Sequence, residues 1–406
     1  MNEDIAIRRE ETKAYRNMLK AMCSFKGFLQ NAQNEHTPFD LCIELTKKIS
    51  QYVPISAPIS QLFFTINAEL VEVFLQEGRA KKENVTFFTD CKEKSDILKT
   101  DIRYKGIKVT DGDYLTIKDQ PMKFKLTACN PPYQDASAGD AKRWPLWHRV
   151  TKAQFAVTEK NGMMITIIPS SCLTPGDMWD YLRKFEIVEI DLDVKRHFPG
   201  IGSTFCSVIC INKSPTGKKT KFISSGQSYD IDISANKFIP PSISNTLIEL
   251  GKKVFQATNS WKFVRTSEYH TSKKHLFADD GRIDVFHTNA QTPKTNVPHA
   301  NNDLYRVAVT LSGYHTFKYI HGEGCSQAVA WMDCGTHSEA IRRLNILNSK
   351  LYQFILKTYK YSGWNSLDVI KSLPSIDDPN VQSDGQIYNH FNLSPEEIAL
   401  IEETIK

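Results

Sequence analysis

The stretch FKLTACNPPY, residues 124–133, decides how this sequence is interpreted. Its first six residues, Phe124 to Cys129, form an extended, β-prone run. The two prolines that follow, Pro131 and Pro132, end any strand, because each removes a backbone N–H donor and fixes φ. The chain must therefore open at the C-terminal edge of a sheet, which is where α/β folds place their ligands.

The residues at this break provide hydrogen-bond acceptors and an aromatic ring. Asn130 offers a carboxamide, Pro131 offers a backbone carbonyl, and Tyr133 offers an aromatic face. Two acceptors and a ring suit a planar amino group, because the acceptors take its hydrogens while the ring stacks on it. A Pro-Pro turn with an asparagine cap is the purely structural alternative.

Strands and helices alternate through the first half of the chain. We expect strands at 59–65, 85–90, 107–111, 124–129, 163–169, 187–192 and 205–211, with helices at 38–52, 68–76, 95–104, 147–160 and 178–185. This alternation favours an α/β fold, in which helices cover both faces of a largely parallel sheet. The last two strands are expected to form an antiparallel edge of that sheet.

The second half is less regular. A polar linker is expected at 213–221, followed by short strands and turns. One long helix is predicted from Ser338 to Tyr359, and Ser394 to Glu397 forms a capping box that starts a final helix. Between Lys213 and Ile320 there are 15 Lys and Arg against 8 Asp and Glu, which suits a phosphate-rich partner.

Bulk composition excludes several classes of protein. The 406 residues suggest two domains, and 41% hydrophobic with 24% charged residues argues against wholesale disorder. No apolar run approaches the ~20 residues of a membrane span, and the first residues lack a secretion signal. The nine cysteines include no CxxC pair, so neither a disulfide framework nor a zinc ribbon is supported, and no metal site is expected. We therefore expect a cytoplasmic protein with no membrane partner.

Together these features resemble the S-adenosylmethionine-dependent N6-adenine DNA methyltransferases of restriction-modification type. The resemblance implies a Rossmann-like catalytic domain at 36–215, preceded by a helical arm at 1–35. It implies that Asn130, Pro131, Pro132 and Tyr133 are the catalytic residues. In that family the two acceptors hold the adenine N6 group, and the aromatic ring stacks on a base flipped out of the duplex.

The same resemblance implies a set of S-adenosylmethionine-binding residues. An acidic residue at the end of the second strand binds the ribose hydroxyls, and another beyond the third strand meets the adenine amino group. The positions that match these roles, the opening of the pocket and the loop after the first strand are Thr37, Pro38, Thr65, Asn67, Asp90 and Asp113. Plain turn and capping roles are the structural alternatives for these residues.

One segment departs from the family pattern. The cofactor loop after the first strand is normally rich in glycine, yet no glycine occurs between Gly27 and Gly78. Ile66 is β-branched, which disfavours positive φ in that turn. Either the cofactor is held by another backbone route, or cofactor binding is weak, or activity has been lost.

The family also implies a C-terminal α+β target-recognition domain at 216–406 that binds double-stranded DNA. Its expected contacts are basic residues for phosphates, with aromatic residues such as Tyr269 and Phe286 between them. Phe198 is expected to close on the target base, although an ordinary hairpin loop is the alternative there. The predicted contacts with base or DNA are Phe198, Lys273, Lys274, Arg282 and Trp364.

Two alternative functions stay open at this point. A methyltransferase acting on RNA or on protein glutamine would use the same Asn-Pro-Pro-Tyr site, although such enzymes usually lack a basic C-terminal domain. A catalytically silent DNA-binding protein of the same fold would explain the glycine-free loop. For the main hypothesis, the protein partner is either a restriction endonuclease or a second copy of the chain.

Overall fold

The computed structural model describes residues 39–52, 61–65, 71, 75, 81–89, 92–119, 123–131, 133, 146–198, 204–256, 259–288, 291–312, 316–361 and 364–406. The chain forms two compact units. The first comprises Met1–Pro169, Tyr181–Ile201 and Phe205–Ser228, and the second comprises Ser170–Asp180, Gly202–Thr204 and Tyr229–Lys406. The predicted helical arm, residues 1–35, lies outside the described residues.

One nine-stranded sheet dominates the first part of the chain, in the order β3-β2-β1-β4-β5-β7-β6-β8-β9. Strands β1 to β5 pair in parallel, whereas β7 runs antiparallel to both of its neighbours. The strands are β1 Gln61–Thr65, β2 Val85–Thr89, β3 Lys108–Asp111, β4 Phe124–Asn130, β5 Thr158–Pro169, β6 Glu186–Asp191, β7 Phe205–Ile211, β8 Thr220–Ser224 and β9 Gln227–Ile231.

This sheet confirms the predicted α/β fold class and corrects two details. The antiparallel strand β7 lies inside the sheet, between β5 and β6, and does not form its edge. The expected linker at 213–221 leads into β8, which pairs in parallel with β6. The last segment of the first unit ends at Ser228, and the domain boundary expected after residue 215 stays a prediction.

Helices cover both faces of the sheet because successive strand residues point to opposite sides. Leu126 and Ala128 of β4 pack in one buried cluster with the first helix, and Cys129 packs in another with the third. In the described part of the chain before β6, the helices are α1 Phe39–Tyr52, α2 Lys92–Thr100, α3 Leu146–Val157 and α4 Asp177–Leu182.

The strand order reverses between β1 and β4. From β1 the chain proceeds outward through β2 and β3, and from β4 it proceeds in the opposite direction to β5. Such a switch point opens a crevice at the carboxyl ends of the two central strands. Thr65, at the end of β1, is paired in register with Asn130, at the end of β4.

The second unit contains two three-stranded sheets, ordered β11-β10-β14 and β13-β12-β15. Their strands are β10 Ile283–Phe286, β11 Lys294–Thr295, β12 Arg306–Thr310, β13 Lys318–Ile320, β14 Gly324–Cys325 and β15 Val329–Asp333. The remaining helices are α5 Asn245–Phe255, α6 His337–Leu347, α7 Lys350–Thr358, α8 Leu367–Lys371, α9 Asp384–His390 and α10 Pro395–Thr404.

Two helix predictions for this unit have different outcomes. The single helix expected at 338–359 is wrong, because the chain breaks between α6 and α7. At the break, the Asn348 carboxamide accepts from the Phe317 N–H at 2.8 Å and donates to the Phe317 carbonyl at 3.0 Å. The capping box at Ser394 and Glu397 is confirmed. No helix in the described part of the chain is both long and apolar enough to cross a membrane.

Candidate functional site

Asn130 ends β4 at the switch point and is buried, with 3% of its surface exposed. Its backbone lies beside Thr65 of β1, and the preceding Cys129 is in register with Thr166 of β5. Pro131, also buried, follows it and interrupts the strand as the sequence predicts. The sheet therefore places a neutral amide at the edge where α/β folds bind their ligands.

Tyr133 contacts Asn130 directly. Its hydroxyl donates a hydrogen bond of 2.8 Å to the Asn130 Oδ1. Burial raises the pKa of Tyr133 well above its usual range, so the phenol keeps its proton at neutral pH. The sequence prediction assigned the Tyr133 ring to base stacking and did not include this hydrogen bond.

The ring of Tyr133 packs against two further aromatic residues in a row. Its ring lies 4.9 Å from that of Phe205, with an interplanar angle of 31°. Phe205 is buried and in turn lies 5.2 Å from the ring of Phe198. Phe198, predicted to close on a target base, is thus a core residue that is 6% exposed in this structure.

Asp113, a predicted cofactor contact, is exposed just beyond β3. Its Oδ1 accepts a hydrogen bond from the Leu115 N–H at 2.8 Å, and its carbonyl accepts from the Thr116 hydroxyl. These are the bonds of a residue that starts a short helix, here Tyr114–Asp119. A carboxylate accepts several hydrogen bonds, so this capping role and cofactor contact are compatible.

The other predicted residues around this edge fall outside what the structure describes. The backbone of Thr65 is described, but its side chain is not. The predicted site residues that lie outside the described part of the chain are Thr37, Pro38, Asn67, Asp90 and Pro132.

A buried ion cluster joins α1 to β6, and the sequence analysis missed it. Lys48 of α1 forms ion pairs with Asp191, with Glu189 at 3.0 Å and with Glu44 at 3.2 Å. The Glu189 and Asp191 side chains are each only 1% exposed. Two carboxylates two residues apart in an apolar strand were the signal that could have identified the cluster.

Glu44 also connects the ion cluster to the residues that directly precede Phe198. Glu44 accepts from Arg196 at 2.6 Å and lies 3.1 Å from His197 Nε2. Burial alone would raise the pKa of Glu44, but the Lys48 charge and the Arg196 hydrogen bond outweigh it and hold that pKa at about 2. The cluster therefore contains charges that neutralise one another, which is the pattern of a structural anchor.

The second unit carries the predicted DNA contacts on its surface. Lys273, Lys274 and Arg282 are exposed, and Trp364 is 60% exposed. Two of the aromatic residues expected between the basic residues, Tyr269 and Phe286, are instead buried in the core.

Lys273 also lines a cleft of about 600 Å³ in the second unit. On one side Glu268 accepts a 2.6 Å hydrogen bond from Asn301, and Lys273 itself donates to the Ser267 carbonyl at 3.2 Å. The lining residues are Thr266, Ser267, Glu268, Lys273, Leu276, Val297 and His299. The cleft therefore presents a cation, an anion and hydroxyl groups next to apolar side chains.

Neither protein-family models nor curated protein sequences match this chain. Solved structures that resemble it include a modification subunit assigned to a type I restriction enzyme from Vibrio vulnificus YJ016. That structure is 11% identical, with a TM-score of 0.40, and the match covers 55% of this chain and 54% of the other. The type I restriction-modification methyltransferase subunit from Streptococcus thermophilus is 16% identical, with a TM-score of 0.36 and coverage of 53% and 51%.

A third structure, assigned to the class I S-adenosylmethionine-dependent methyltransferases of Listeria monocytogenes, is 9% identical. Its TM-score is 0.38, and the match covers 48% of this chain and 68% of that chain. The present chain spans about half the length of each of the first two structures. At such low similarity, the geometry of the chain itself must carry any functional argument.

Proposed function

We propose that this chain is a site-specific methyltransferase that transfers a methyl group from S-adenosylmethionine to adenine N6 in double-stranded DNA. The observation that carries the proposal is the position of Asn130. It is a buried carboxamide at the carboxyl end of β4, beside β1, where the strand order reverses. The Pro131 carbonyl follows at once, so two acceptors for one planar amino group are adjacent in the chain.

The carboxyl edge of the sheet fits the proposed cofactor. Because β1 to β4 are parallel, Thr65, Thr89, Asp111 and Asn130 end their strands at one edge. S-adenosylmethionine would supply a methyl group already activated by its sulfonium. The residues that would hold it at this edge, or just before α1, are Thr37, Pro38, Thr65, Asn67, Asp90 and Asp113.

Asn130 and Pro131 would activate the acceptor amine. The N6 lone pair of adenine is delocalised into the ring and is a poor nucleophile. Hydrogen bonds from its two hydrogens to the Asn130 Oδ1 and the Pro131 carbonyl would draw the nitrogen toward a pyramidal geometry. The same acceptors would stabilise the positive charge that develops during transfer, so they bind the transition state more tightly than the ground state.

The second unit would supply the DNA contacts. The target adenine must leave the duplex, at a cost of a few kcal/mol. Exposed Lys273, Lys274 and Arg282 suit phosphates, and the exposed Trp364 suits stacking on a base. Phe198 would reach the base only if it left its contact with Phe205. Such an enzyme would work in the cytoplasm, with either a restriction endonuclease or a second copy of the chain as its protein partner.

The acceptor class is tested by offering the three candidate acceptors in parallel assays. We would incubate the protein with tritiated S-adenosylmethionine and, in parallel, mixed-sequence duplex DNA, total RNA and a protein extract, and digest each product. Label recovered as N6-methyladenine from DNA alone would support the proposal. Label in RNA or in glutamine would replace it with the other methyltransferase function.

The silent DNA-binding alternative requires a separate measurement. Calorimetric titration with S-adenosylmethionine should give saturable binding if the glycine-free loop still admits the cofactor. DNA binding without cofactor binding or methyl transfer would instead identify a silent relative.

A further inference from the structure

The cleft in the second unit contains two side chains of opposite charge that do not neutralise each other. Lys273 and Glu268 both line it, yet neither forms an ion pair with another residue in the described ranges. Lys273 donates to the Ser267 carbonyl at 3.2 Å, and Glu268 accepts from Asn301 at 2.6 Å. Each group uses only part of its hydrogen-bonding capacity in these bonds, and the rest is available to a ligand.

A buried tyrosine fixes the walls of the cleft. Tyr269, which follows Glu268, is fully buried, and its hydroxyl donates to the Val297 carbonyl at 2.8 Å. Its ring lies 4.9 Å from that of His299, edge to face. A Cβ at Gly324 would lie 2.6 Å from this ring, so the absence of a side chain there makes room for it. Glu268, Val297 and His299 are therefore held in one arrangement before any ligand binds.

The lining suits a nucleotide. A nucleotide has an anionic phosphate, which Lys273 can bind, and a base whose edge can meet Glu268. The cleft volume of about 600 Å³ falls within the range of roughly 300–1,000 Å³ that is typical of ligand sites. A free amino acid would also offer both charges, but Lys274 and Arg282 are exposed nearby in the sequence and favour a ligand with several phosphates.

Glu268 can discriminate among bases because an ionised carboxylate only accepts hydrogen bonds. In the major groove guanine and thymine present acceptors, which a carboxylate repels. Adenine presents its N6 donor beside the N7 acceptor, whereas cytosine presents its N4 donor with no acceptor beside it. Cytosine is therefore the base whose edge matches a glutamate.

We propose that the cleft binds a cytosine nucleotide of the DNA recognition sequence, with Glu268 accepting from the N4 amino group and Lys273 bound to a phosphate. This inference rests on the proposed function, because it takes DNA as the partner, and it names one base of the sequence that the enzyme recognises. Lys273 supplies affinity without sequence information, and Glu268 supplies the discrimination.

Selection of bound duplexes from a randomised library, followed by sequencing, tests the proposal with the full chain. The wild type should prefer cytosine at one position by about 10-fold over the other bases. Glu268→Gln has the same size, and its amide oxygen can still accept from Asn301, but it adds a donor. Because glutamine pairs with adenine N6 and N7, the preference at that position should move from cytosine to adenine. Glu268→Ala should leave no preference there.

Two further variants separate this contact from general effects of charge. Glu249→Gln is the matched control, since it makes the same chemical change on an exposed carboxylate of α5, and it should leave the selected sequence unchanged. Lys273→Gln should weaken binding to all sequences alike, because a phosphate contact carries no sequence information.

A change on the DNA side does not depend on the folding of any variant. Each selected cytosine is replaced in turn by 2-pyrimidinone, which lacks the N4 amino group. One replacement should weaken binding by the wild type about 10-fold, and the same replacement should make no difference to Glu268→Ala.

The same selected sequence from the wild type and Glu268→Gln would overturn the proposal. So would a wild type that selects no sequence, binds no DNA, or binds every 2-pyrimidinone duplex with undiminished affinity. Absence of methyl transfer, with the selection of cytosine intact, would overturn the proposed methyl transfer and leave the cytosine contact standing.

Discussion

Two regions of the first unit bury polar groups, and they compensate for the lost contact with water in different ways. At the ion cluster, the carboxylates of Glu44, Glu189 and Asp191 are paired with three cations, which are Lys48, Arg196 and Lys221. At the end of β4, Asn130 is neutral, and its oxygen accepts a hydrogen bond from the neutral hydroxyl of Tyr133.

The difference indicates what each region is for. Charges that satisfy one another hold elements together, because separating them would leave an unpaired charge in the interior. A neutral amide pays a smaller desolvation penalty, and its oxygen can accept a further hydrogen bond from a substrate. The ion cluster should therefore govern stability, and Asn130 should govern chemistry.

The largest expected effect is on activity. Asn130→Ala removes one of two proposed acceptors, and we expect methyl transfer to fall by about 10³-fold or more. The melting temperature should fall less than on loss of a buried cation, because Asn130→Ala removes one neutral hydrogen bond with Tyr133 and leaves no unpaired charge. Filter-binding of tritiated DNA measures methyl transfer, and calorimetry measures the melting temperature. A large loss of stability with retained activity would show that Asn130 governs stability and not chemistry.

The complementary change is Lys48→Met, which removes the cation bonded to the buried Asp191 carboxylate and leaves Glu189 with Lys221 at 3.2 Å. Breaking a buried pair in this way costs about 3 kcal/mol or more, whereas methyl transfer per folded molecule should be unchanged. Urea denaturation and the transfer assay measure the two effects. Lys252→Met is the control: it breaks the exposed pair with Glu249 and should cost less than about 1 kcal/mol.

A smaller effect is expected in the second unit, where the residues are exposed. Lys273→Gln should weaken DNA binding several-fold and lower the slope of log affinity against log salt by about 1. Lys371→Gln, which removes an exposed charge outside the basic segment, should leave both quantities unchanged. Equal effects of the two substitutions would show that the contact is non-specific surface charge.

The smallest effect concerns pH. Because the pKa of Glu44 is about 2, below the ordinary value of 4.5 for this carboxyl, its ionised form stabilises the fold above pH 4.5. This contribution disappears as pH falls toward 2. Glu44→Gln should cost about 1 kcal/mol at pH 7 for a solvent-screened pair, and the gap to wild type should narrow between pH 4.5 and 2.

Asp191 acts in the opposite sense, because burial raises its pKa despite the bond to Lys48. Because Glu44 and Asp191 also interact with each other, the difference between wild type and Glu44→Gln reports the titration of this coupled pair. Urea denaturation at pH 7 and pH 3 measures this difference. A gap of the same size at both pH values would show that Glu44 does not have a depressed pKa.

The sequence could predict the parts of this molecule that are local. Strands such as Phe124–Asn130 follow from composition, and Pro131 marks where the central strand ends. The capping box at Ser394 follows in the same way from residues close in sequence.

Features that depend on side-chain direction or on distant pairing were not predictable. The position of β7 depends on pairing across the whole sheet, and Lys48 and Asp191 are separated by 143 residues. The bond between Tyr133 and Asn130 depends on the path of the chain through a double-proline turn. Phe198 was assigned to the target base by resemblance to the family, and its ring lies 5.2 Å from that of Phe205.

The central claim is that Asn130 performs the chemistry while the Lys48 cluster maintains the fold. We would assay wild type, Asn130→Ala and Lys48→Met together, with tritiated S-adenosylmethionine and duplex DNA at a temperature where all three are folded, and quantify N6-methyladenine. The account predicts equal label from wild type and Lys48→Met and none from Asn130→Ala. Label from Asn130→Ala comparable to wild type would contradict it.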